Sequence, residues 1–188
     1  MKGSWDDGLD PLSALRDGDP GRFEAFVRSE TGSFVGFFLR QGAERAEAED
    51  LTQEVFLRLF RSAKQYDARD RFGAFTWRVA RNAWIDRNRR RVLRGEGGED
   101  EDGRFGGDVP DDHEGVLDGL ERNEEVGKVH GALAKLSQSH RLVFELGVVQ
   151  ELPYATISDM LEVPVGTIKS RMFHAVRRLR ELLGEDES

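Results

Sequence analysis

Hydrophobic residues recur every three to four positions through most of this chain, which is the spacing of one face of an α-helix. A first helix is predicted from Asp19-Pro20, because an aspartate followed by a proline is typical of a helix start. A second helix is predicted after a break at Thr31-Gly32. The apolar faces of these two helices consist of Phe23, Phe26, Val27, Phe34, Phe37 and Phe38.

Two further helices are predicted before the pattern stops near residue 93. The third spans about residues 43–64, and its apolar residues are Leu51, Val55 and Leu59, with Phe56 and Phe60 beside them. The fourth spans residues 72–91, and its inner face is predicted to consist of Phe72, Phe75 and Val79. No stretch shows the strict alternation that predicts a β-strand. Residues 9–93 therefore predict a small helical bundle.

Residues 94–118 are rich in glycine and acidic residues and contain almost no apolar side chains. Such a segment buries too little surface to offset the entropy of ordering it, so we expect a flexible linker between two domains. This linker either acts on nucleic-acid binding through its charge or is a passive spacer, and the sequence leaves both possibilities open.

The second predicted domain, residues 119–184, is again helical. Its first apolar stripe consists of Val126, Val129, Leu133 and Leu136. Ser137 is predicted to cap the next helix, whose inner residues are Leu142, Val143 and Leu146. Pro153 and Pro164 are predicted to open the last two helices. The predicted fold class is all-α, with two small helical domains joined by a flexible acidic linker.

The net charge of −8 argues against nucleic-acid binding only until its distribution is considered. Residues 95–125 contain thirteen acidic residues and two arginines, so the rest of the chain carries about +3. Two clusters carry a strong excess of positive charge, one within residues 78–94 and one within residues 169–180. Phosphate binding depends on such local patches and not on the average charge.

Other classes of function are excluded or disfavoured by composition. Cysteine is absent, which excludes disulfides and thiolate metal sites, and the four histidines show no ligand spacing. We therefore expect no metal site, no cofactor and no catalytic residues. The chain has no apolar run long enough for a membrane span and no signal-peptide pattern at its start. A cytoplasmic protein without membrane insertion is expected.

The stronger functional motif is a helix-turn-helix over residues 153–183. The residues predicted to pack inward are Ala155, Ile157, Met160, Leu161, Val163, Ile168 and Met172. This packing would expose the start of the last helix, whose polar residues suit phosphates and base edges in a major groove. These candidate DNA-binding residues are Thr167, Lys169, Ser170, Arg171, His174 and Arg177. The alternative is an ordinary helical hairpin with a solvated basic face.

The second motif lies on the fourth helix, where Arg78, Asn82, Asp86 and Arg89 share one face at spacings of three and four. Arg81 and Trp77 flank that face. Aromatic side chains beside arginines suit the unstacked bases of single-stranded DNA. The alternative is that Trp77 and Trp84 belong partly to the core and that the arginines form a solvated surface.

Together these motifs resemble the extracytoplasmic-function sigma factors, which are short bacterial sigma factors. The resemblance rests on three stretches in a fixed order: EAEDLTQEVFLRLF, then F-x-x-F-x-W-R-V-A-R-N-x-x-x-D-x-x-R-R, and after the linker P-x-G-T-I-K-S-R. It covers residues 19–93 and 120–183. It implies that the first domain is region 2 of the family and that the second is region 4.

The resemblance also implies partners and the residues that meet them. The third helix would dock on the clamp helices of the largest subunit of RNA polymerase through Asp50, Leu51, Gln53, Glu54, Phe56 and Arg58. The loop 61–71 and the fourth helix would capture and melt the −10 element, and the last helix would read the −35 element. The flap of the second-largest subunit and an anti-sigma factor are the other implied partners. We expect no further domain after Leu183, and therefore control by a separate protein.

Three rival functions are compatible with parts of the sequence. A DNA-binding regulator that never touches polymerase would keep the helix-turn-helix but would have no use for the DLTQEVF helix. A nuclease or other hydrolase would need positioned carboxylates, a metal or an activated nucleophile, and most of the acids here lie in a glycine-rich linker. An adaptor that only binds an anti-sigma factor would have no need for two basic clusters.

Overall fold

The computed structural model describes residues 5, 9–68, 71–94 and 124–184, and all regular structure in these ranges is helical. The helices of the first half are α1 (Pro11–Arg16), α2 (Gly21–Arg40), α3 (Arg45–Ser62) and α4 (Phe72–Leu93). Those of the second half are α5 (Glu124–Ala134), α6 (Gln138–Phe144), α7 (Tyr154–Leu161) and α8 (Val165–Leu183). A π-helical stretch, Glu145–Val149, directly follows α6. The all-α fold class is thus confirmed.

The chain divides into two compact units. The first comprises residues 1–39 and 45–84, and the second comprises residues 40–44 and 85–188. The division falls within α4, whereas the predicted linker lies outside the described residues except for Arg94. The assignment of domains to residues 9–93 and 119–184 stays a prediction.

Aromatic rings from three helices form the core of the first unit. Phe26 of α2 is fully buried, and its ring centroid lies 5.9 Å from that of Phe56 on α3 and 4.9 Å from that of Phe72 on α4. The ring of Trp77 is also fully buried, 4.7 Å from Phe34 and 5.2 Å from Phe37. Each such ring contributes a large apolar area, and the edge-to-face contacts add to it.

The predicted break at Thr31-Gly32 is wrong, since α2 runs through both residues. The Thr31 hydroxyl donates to the Val27 carbonyl at 2.6 Å, so its side chain is satisfied within the helix. One internal glycine costs about 1 kcal/mol of helix stability. That cost is smaller than the gain from burying Phe26 on one side of Gly32 and Phe34 on the other.

The predicted inner face of α3 is confirmed, whereas that of α4 is wrong in part. In α3, Leu51, Val55 and Leu59 are buried, as predicted. In α4, Phe72 is buried, but the predicted inner residues Phe75 and Val79 are only half-buried. The buried face of α4 instead consists of Phe72, Gly73, Thr76, Trp77, Ala80, Arg81, Ala83 and Trp84. The helix is rotated relative to the prediction because its two tryptophans bury more area than Phe75 and Val79 would.

The second unit is built around α8. Leu133 and Leu136, contributed by α5 and the residues after it, form a buried cluster with Ala175 and Leu179 of α8. The cap at Ser137 is confirmed, because its hydroxyl accepts from the His140 amide. The inner residues Leu142, Val143 and Leu146 are buried, as predicted. Val129 is 42% exposed, so its place in the predicted apolar stripe is wrong, and the side chain of Val126 lies outside the description.

The π-helical stretch brings the backbone close to α7 and α8. A Cβ atom at Gly147 would lie 2.5 Å from the terminal methyl of Met172 and 3.4 Å from Ile157. Glycine therefore permits Met172 to fill the space beside this backbone. The contact helps to fix α8 against the rest of the unit.

Replacing Trp77 with alanine should destabilise the first unit by about 3–5 kcal/mol, because the indole fills the space between Phe34 and Phe37. Trp77→Phe should cost clearly less, since the Nε1 atom of Trp77 has no hydrogen-bond partner among the described residues. Urea unfolding followed by circular dichroism measures both. Leu57→Ala is the surface control, because Leu57 is 53% exposed. A Trp77→Ala protein as stable as this control would show that the indole is not a core residue.

Candidate nucleic-acid interface

The turn between α7 and α8 sets the direction of the last helix. Glu162 adopts the left-handed conformation at φ 56° and ψ 38°, which ends α7. Ser158 holds the turn from both sides: its carbonyl accepts from the Val163 amide at 3.2 Å, and its hydroxyl donates to the Val163 carbonyl at 2.6 Å. Pro164 then precedes the first residue of α8. The helix-turn-helix motif is therefore present as predicted.

Most of the predicted packing inside the motif is confirmed. Ile157, Met160 and Leu161 of α7 are buried, and Ile168 and Met172 of α8 are buried as well. Val163 is half-buried. The predicted inward position of Ala155 is wrong. This residue is exposed, because it lies on the opposite side of α7 from Ile157 and Met160.

The outer face of α8 carries the polar residues predicted to bind DNA. Thr167 and Arg171 are half-buried, and the other four are exposed: Lys169, Ser170, His174 and Arg177. All six lie within three turns of one helix, with their backbone fixed by the buried Ile168 and Met172. Such an arrangement suits simultaneous contact with phosphates and base edges along a major groove.

Phe173 is a residue of this face that the sequence pattern did not single out. It is 64% exposed, and its ring centroid lies 5.5 Å from that of His174. A phenylalanine at this exposure can contact a thymine methyl or a sugar by apolar packing. Its position four residues after Lys169, on the polar side of the helix, was the available signal.

Two arginines near the end of α8 share one carboxylate. Arg177 and Arg178 lie 3.2 and 3.1 Å from the carboxylate oxygens of Glu181. The hydrogen bond from Arg178, with that from Arg177, lowers the pKa of Glu181. Glu181 is exposed to solvent, so water screens this interaction.

On α4 the structure places the second candidate surface. Asn82 and Arg89 are exposed, and Arg78 and Asp86 are half-buried. Arg81 is 9% exposed, and its Nη1 atom donates to the Asn82 Oδ1 atom at 3.0 Å. This bond holds the Asn82 amide in one orientation. Of the loop 61–71 that was predicted to help, residues 69 and 70 lie outside the description.

Trp77 was predicted to stack on bases, and the structure contradicts this. The ring is fully buried between Phe34 and Phe37, and Trp84 is only 3% exposed. Of the alternative interpretation, the part that places both tryptophans in the core is confirmed. The spacing of Trp77, Ala80 and Trp84 is that of a buried helix face, and this signal could have identified them.

The face of α3 predicted to bind polymerase divides into two sets. Asp50 and Gln53 are exposed, and Arg58 forms an ion pair with Glu54, with Nε and Oε1 3.1 Å apart. Leu51 is 6% exposed, and the ring of Phe56 packs against Phe26 and Phe34. Leu51 is buried in the core, so its prediction as a contact residue is wrong. Phe56 is half-buried and supports the core, and its role as a contact residue stays a prediction.

Two exposed apolar residues of α3 were not among the predicted contacts. Leu57 is 53% exposed and Phe60 is 54% exposed, although the ring of Phe60 touches Phe23 at its edge. The two lie three residues apart and so share a face of the helix. Leu57 lies two residues from both Val55 and Leu59, which places it about 160° around the helix from each of these buried residues. That was the signal for Leu57.

Within the described ranges, no group of three or more His, Cys, Asp or Glu residues is placed to hold a metal ion. No helix in the same ranges is both long enough and apolar enough to cross a membrane.

Two protein-family models match the chain. The model for sigma-70 region 2 matches residues 26–94, and the model for sigma-70 region 4 matches residues 132–181. These ranges include α4 and all of α8 except its last two residues, and so they include the candidate residues of both helices.

Two ECF sigma factors are similar to this chain over most of its length. The ECF RNA polymerase sigma factor SigK of Mycolicibacterium vanbaalenii is 30% identical over 178 residues, covering 92% of this chain and 87% of SigK. The ECF RNA polymerase sigma factor SigL of Mycobacterium tuberculosis is 34% identical over 151 residues, covering 79% of this chain and 81% of SigL.

Solved structures show the same fold. The sigma factor RpoE from Bartonella quintana, in complex with the anti-sigma factor NepR, aligns with a TM-score of 0.67 and 23% identity, covering 88% of this chain and 98% of RpoE. CnrH in complex with the cytosolic domain of CnrY aligns with a TM-score of 0.66 and 18% identity, covering 94% of this chain and 96% of CnrH.

Proposed function

This chain belongs to the sigma-70 family as an ECF RNA polymerase sigma factor that directs promoter-specific transcription initiation, and we propose how its surfaces divide that work. The observation that carries the proposal is the exposed polar face of α8 on a buried helix-turn-helix core, with the α3 and α4 surfaces in a separate region of the chain. One surface reads duplex DNA, one binds opened DNA, and one binds the polymerase.

The start of α8 reads the −35 element in the major groove. Thr167, Lys169, Ser170, Arg171, His174 and Arg177 supply hydrogen-bond donors along the outer face, and Phe173 adds an apolar contact. Exposed lysine and arginine side chains bind phosphates or the O6 and N7 atoms of guanine. The buried Ile168 and Met172 keep the helix rigid while it does so.

The outer face of α4 binds the −10 element after its strands separate. Arg78 and Arg89 provide positive charge for the backbone, and Asn82 offers an amide that can hydrogen-bond an unpaired base edge. Arg81 contributes by orienting that amide. Since Trp77 is buried, base recognition here depends on polar contacts and not on its ring.

The outer face of α3 binds the clamp helices of the largest polymerase subunit. Leu57 and Phe60 are its apolar anchors, and Asp50, Gln53 and the Glu54–Arg58 ion pair are polar neighbours on the helix. A buried apolar centre with a polar rim is the usual anatomy of a protein interface. We propose that the flap of the second-largest subunit binds the second unit.

An anti-sigma factor is the further proposed partner. Two sigma factors of the same fold were solved in complex with another protein: RpoE with the anti-sigma factor NepR, and CnrH with the cytosolic domain of CnrY. A protein that covers α3 or α8 would block polymerase or promoter binding directly.

Reversing two charges at the start of α8 should abolish −35-dependent transcription but leave polymerase binding intact. Lys169→Glu with Arg171→Glu should cost about 1–3 kcal/mol of DNA-binding free energy for each side chain that no longer binds a base or phosphate. Run-off transcription and co-purification with core polymerase measure the two functions. Arg16→Glu with Arg28→Glu, an equal charge change on exposed residues of α1 and α2, is the control. Loss of co-purification in the folded α8 variant would contradict this division of labour.

Asn82→Ala should reduce open-complex formation on a linear promoter more than on a pre-melted bubble. The contact to an unpaired base offsets part of the unpairing cost, which a bubble template does not impose. Permanganate footprinting on both templates measures the difference. Asn88→Ala is the matched control, because Asn88 accepts from Arg87 at 2.9 Å as Asn82 does from Arg81, but lies off the proposed face. Equal defects on both templates would assign Asn82 to stability.

Leu57→Ala with Phe60→Ala should weaken binding to core polymerase at least tenfold, because each anchor contributes about 1–2 kcal/mol. The thermal stability of the double variant should fall only slightly, since both side chains are more than half exposed. Fluorescence anisotropy with labelled core enzyme measures the affinity. Leu93→Ala, at an apolar residue that is 80% exposed on α4, is the control. Unchanged affinity in the folded double variant would move the docking surface away from this face.

A further inference from the structure

A groove runs between the start of α7 and the outer side of α8, with a volume of about 440 Å³. Its apolar lining consists of Tyr154, Met172, Phe173 and Val176. Tyr154 and Phe173 are 36% and 64% exposed, so this apolar surface is open to solvent. None of it is needed for the packing of α5 against α8, which uses Ala175 and Leu179.

The other lining residues are all basic: Lys169, Arg177 and Arg180. All three are solvent-accessible, and among the residues that the structure describes no acidic side chain lines the groove. Glu181, which pairs with Arg177, lies beside the groove and neutralises only part of its charge. A groove with an apolar floor and a basic rim fits an acidic segment that contains one or two apolar side chains.

Such a segment exists in this chain, outside the described residues. Residues 99–112 contain seven acids and one arginine, with Phe105 and Val109 between the acids. Eleven residues separate the end of this segment from Glu124, where α5 begins. Those residues can span about 40 Å when extended, and α5 is only about 16 Å long. Because α5 packs on α8, the segment has the reach to meet the groove.

We propose that residues 99–112 bind the α8 groove in cis, and that promoter DNA displaces them. Lys169 and Arg177 belong both to the groove and to the proposed DNA-reading face, so the two ligands compete for the same cations. The regulatory consequence rests on the proposed −35 role of α8, whereas the binding itself does not. The acidic segment therefore acts as an internal competitor that random duplex DNA displaces poorly.

The test uses the full chain, which has no cysteine, so a single spin label can be attached at Gly107→Cys. Paramagnetic broadening of backbone amides in a ¹⁵N-labelled sample reports which surface the segment meets. We expect loss of signal around Tyr154, Val176 and Arg180, and recovery at about 0.5 M salt, where exposed charges are screened. Replacing the seven acids with Asn and Gln at constant length should abolish the broadening.

Matched variants of α8 locate the contact. Arg180→Glu should abolish the broadening, whereas Arg178→Glu should retain it, because Arg178 is exposed on α8 but does not line the groove. Broadening concentrated on residues 87–91 of α4, or spread evenly over the protein, would overturn the proposal. Broadening that also appears when labelled and ¹⁵N-enriched molecules are mixed would assign the contact to a second copy and overturn it too.

DNA binding provides the second arm. The variant with a neutral segment should bind random duplex DNA severalfold more tightly at low salt, and this gain should fade as salt is added. If the neutral variant and the parent bound DNA equally, while the parent still showed salt-sensitive broadening, the proposed competition between the acidic segment and DNA would be overturned. If neither protein bound duplex DNA while the broadening persisted, the −35 role would fail and the contact in cis would stand.

Discussion

Burial of aromatic rings around Phe26 is the interaction on which the first unit depends. Rings from α2, α3 and α4 meet there at centroid distances of about 5–6 Å. Trp77 of α4 extends the cluster by packing against Phe34 of α2. Their combined apolar area outweighs local preferences, including the glycine in the middle of α2. The cluster also fixes the rotation of α3 and α4. With Trp77 and Trp84 inward, Asn82 and Arg89 face outward, and with Val55 and Leu59 inward, Leu57 and Phe60 remain exposed.

The second unit reaches its geometry by other means, since none of its aromatic residues within residues 124–184 is buried. Gly147 allows Met172 to approach the π-helical backbone, and the left-handed Glu162 with Ser158 closes the turn before α8. Both features act on the placement of one helix. The proposed DNA-reading role of α8 requires such rigid placement, because base-edge contacts depend on positions within about 0.5 Å.

Charge is separated along the chain in a way that the net value conceals. Clusters of basic side chains lie on α4 and α8, and residues 95–125 hold thirteen acids against two arginines. Local potential and not total charge governs phosphate binding, so an acidic protein can present two basic surfaces. Because the acidic residues 99–112 belong to the same chain as the basic α8 groove, their effective concentration at the groove is high.

The sequence by itself determined the all-α class, the approximate positions of α3 to α8, the helix-turn-helix and the family, because helical periodicity, proline and cap signals and motif order are local or linear features. It also located the polar face of α8, since one buried stripe defines the opposite side. It did not indicate α1. Only the tertiary structure decided that α2 is continuous, that Trp77, Leu51 and Phe56 serve the core, and that Leu57, Phe60 and Phe173 are exposed. A helix with apolar residues on several sides has more than one possible inner face. Which face is buried depends on the rings that neighbouring helices present, and that competition is settled only when the helices pack.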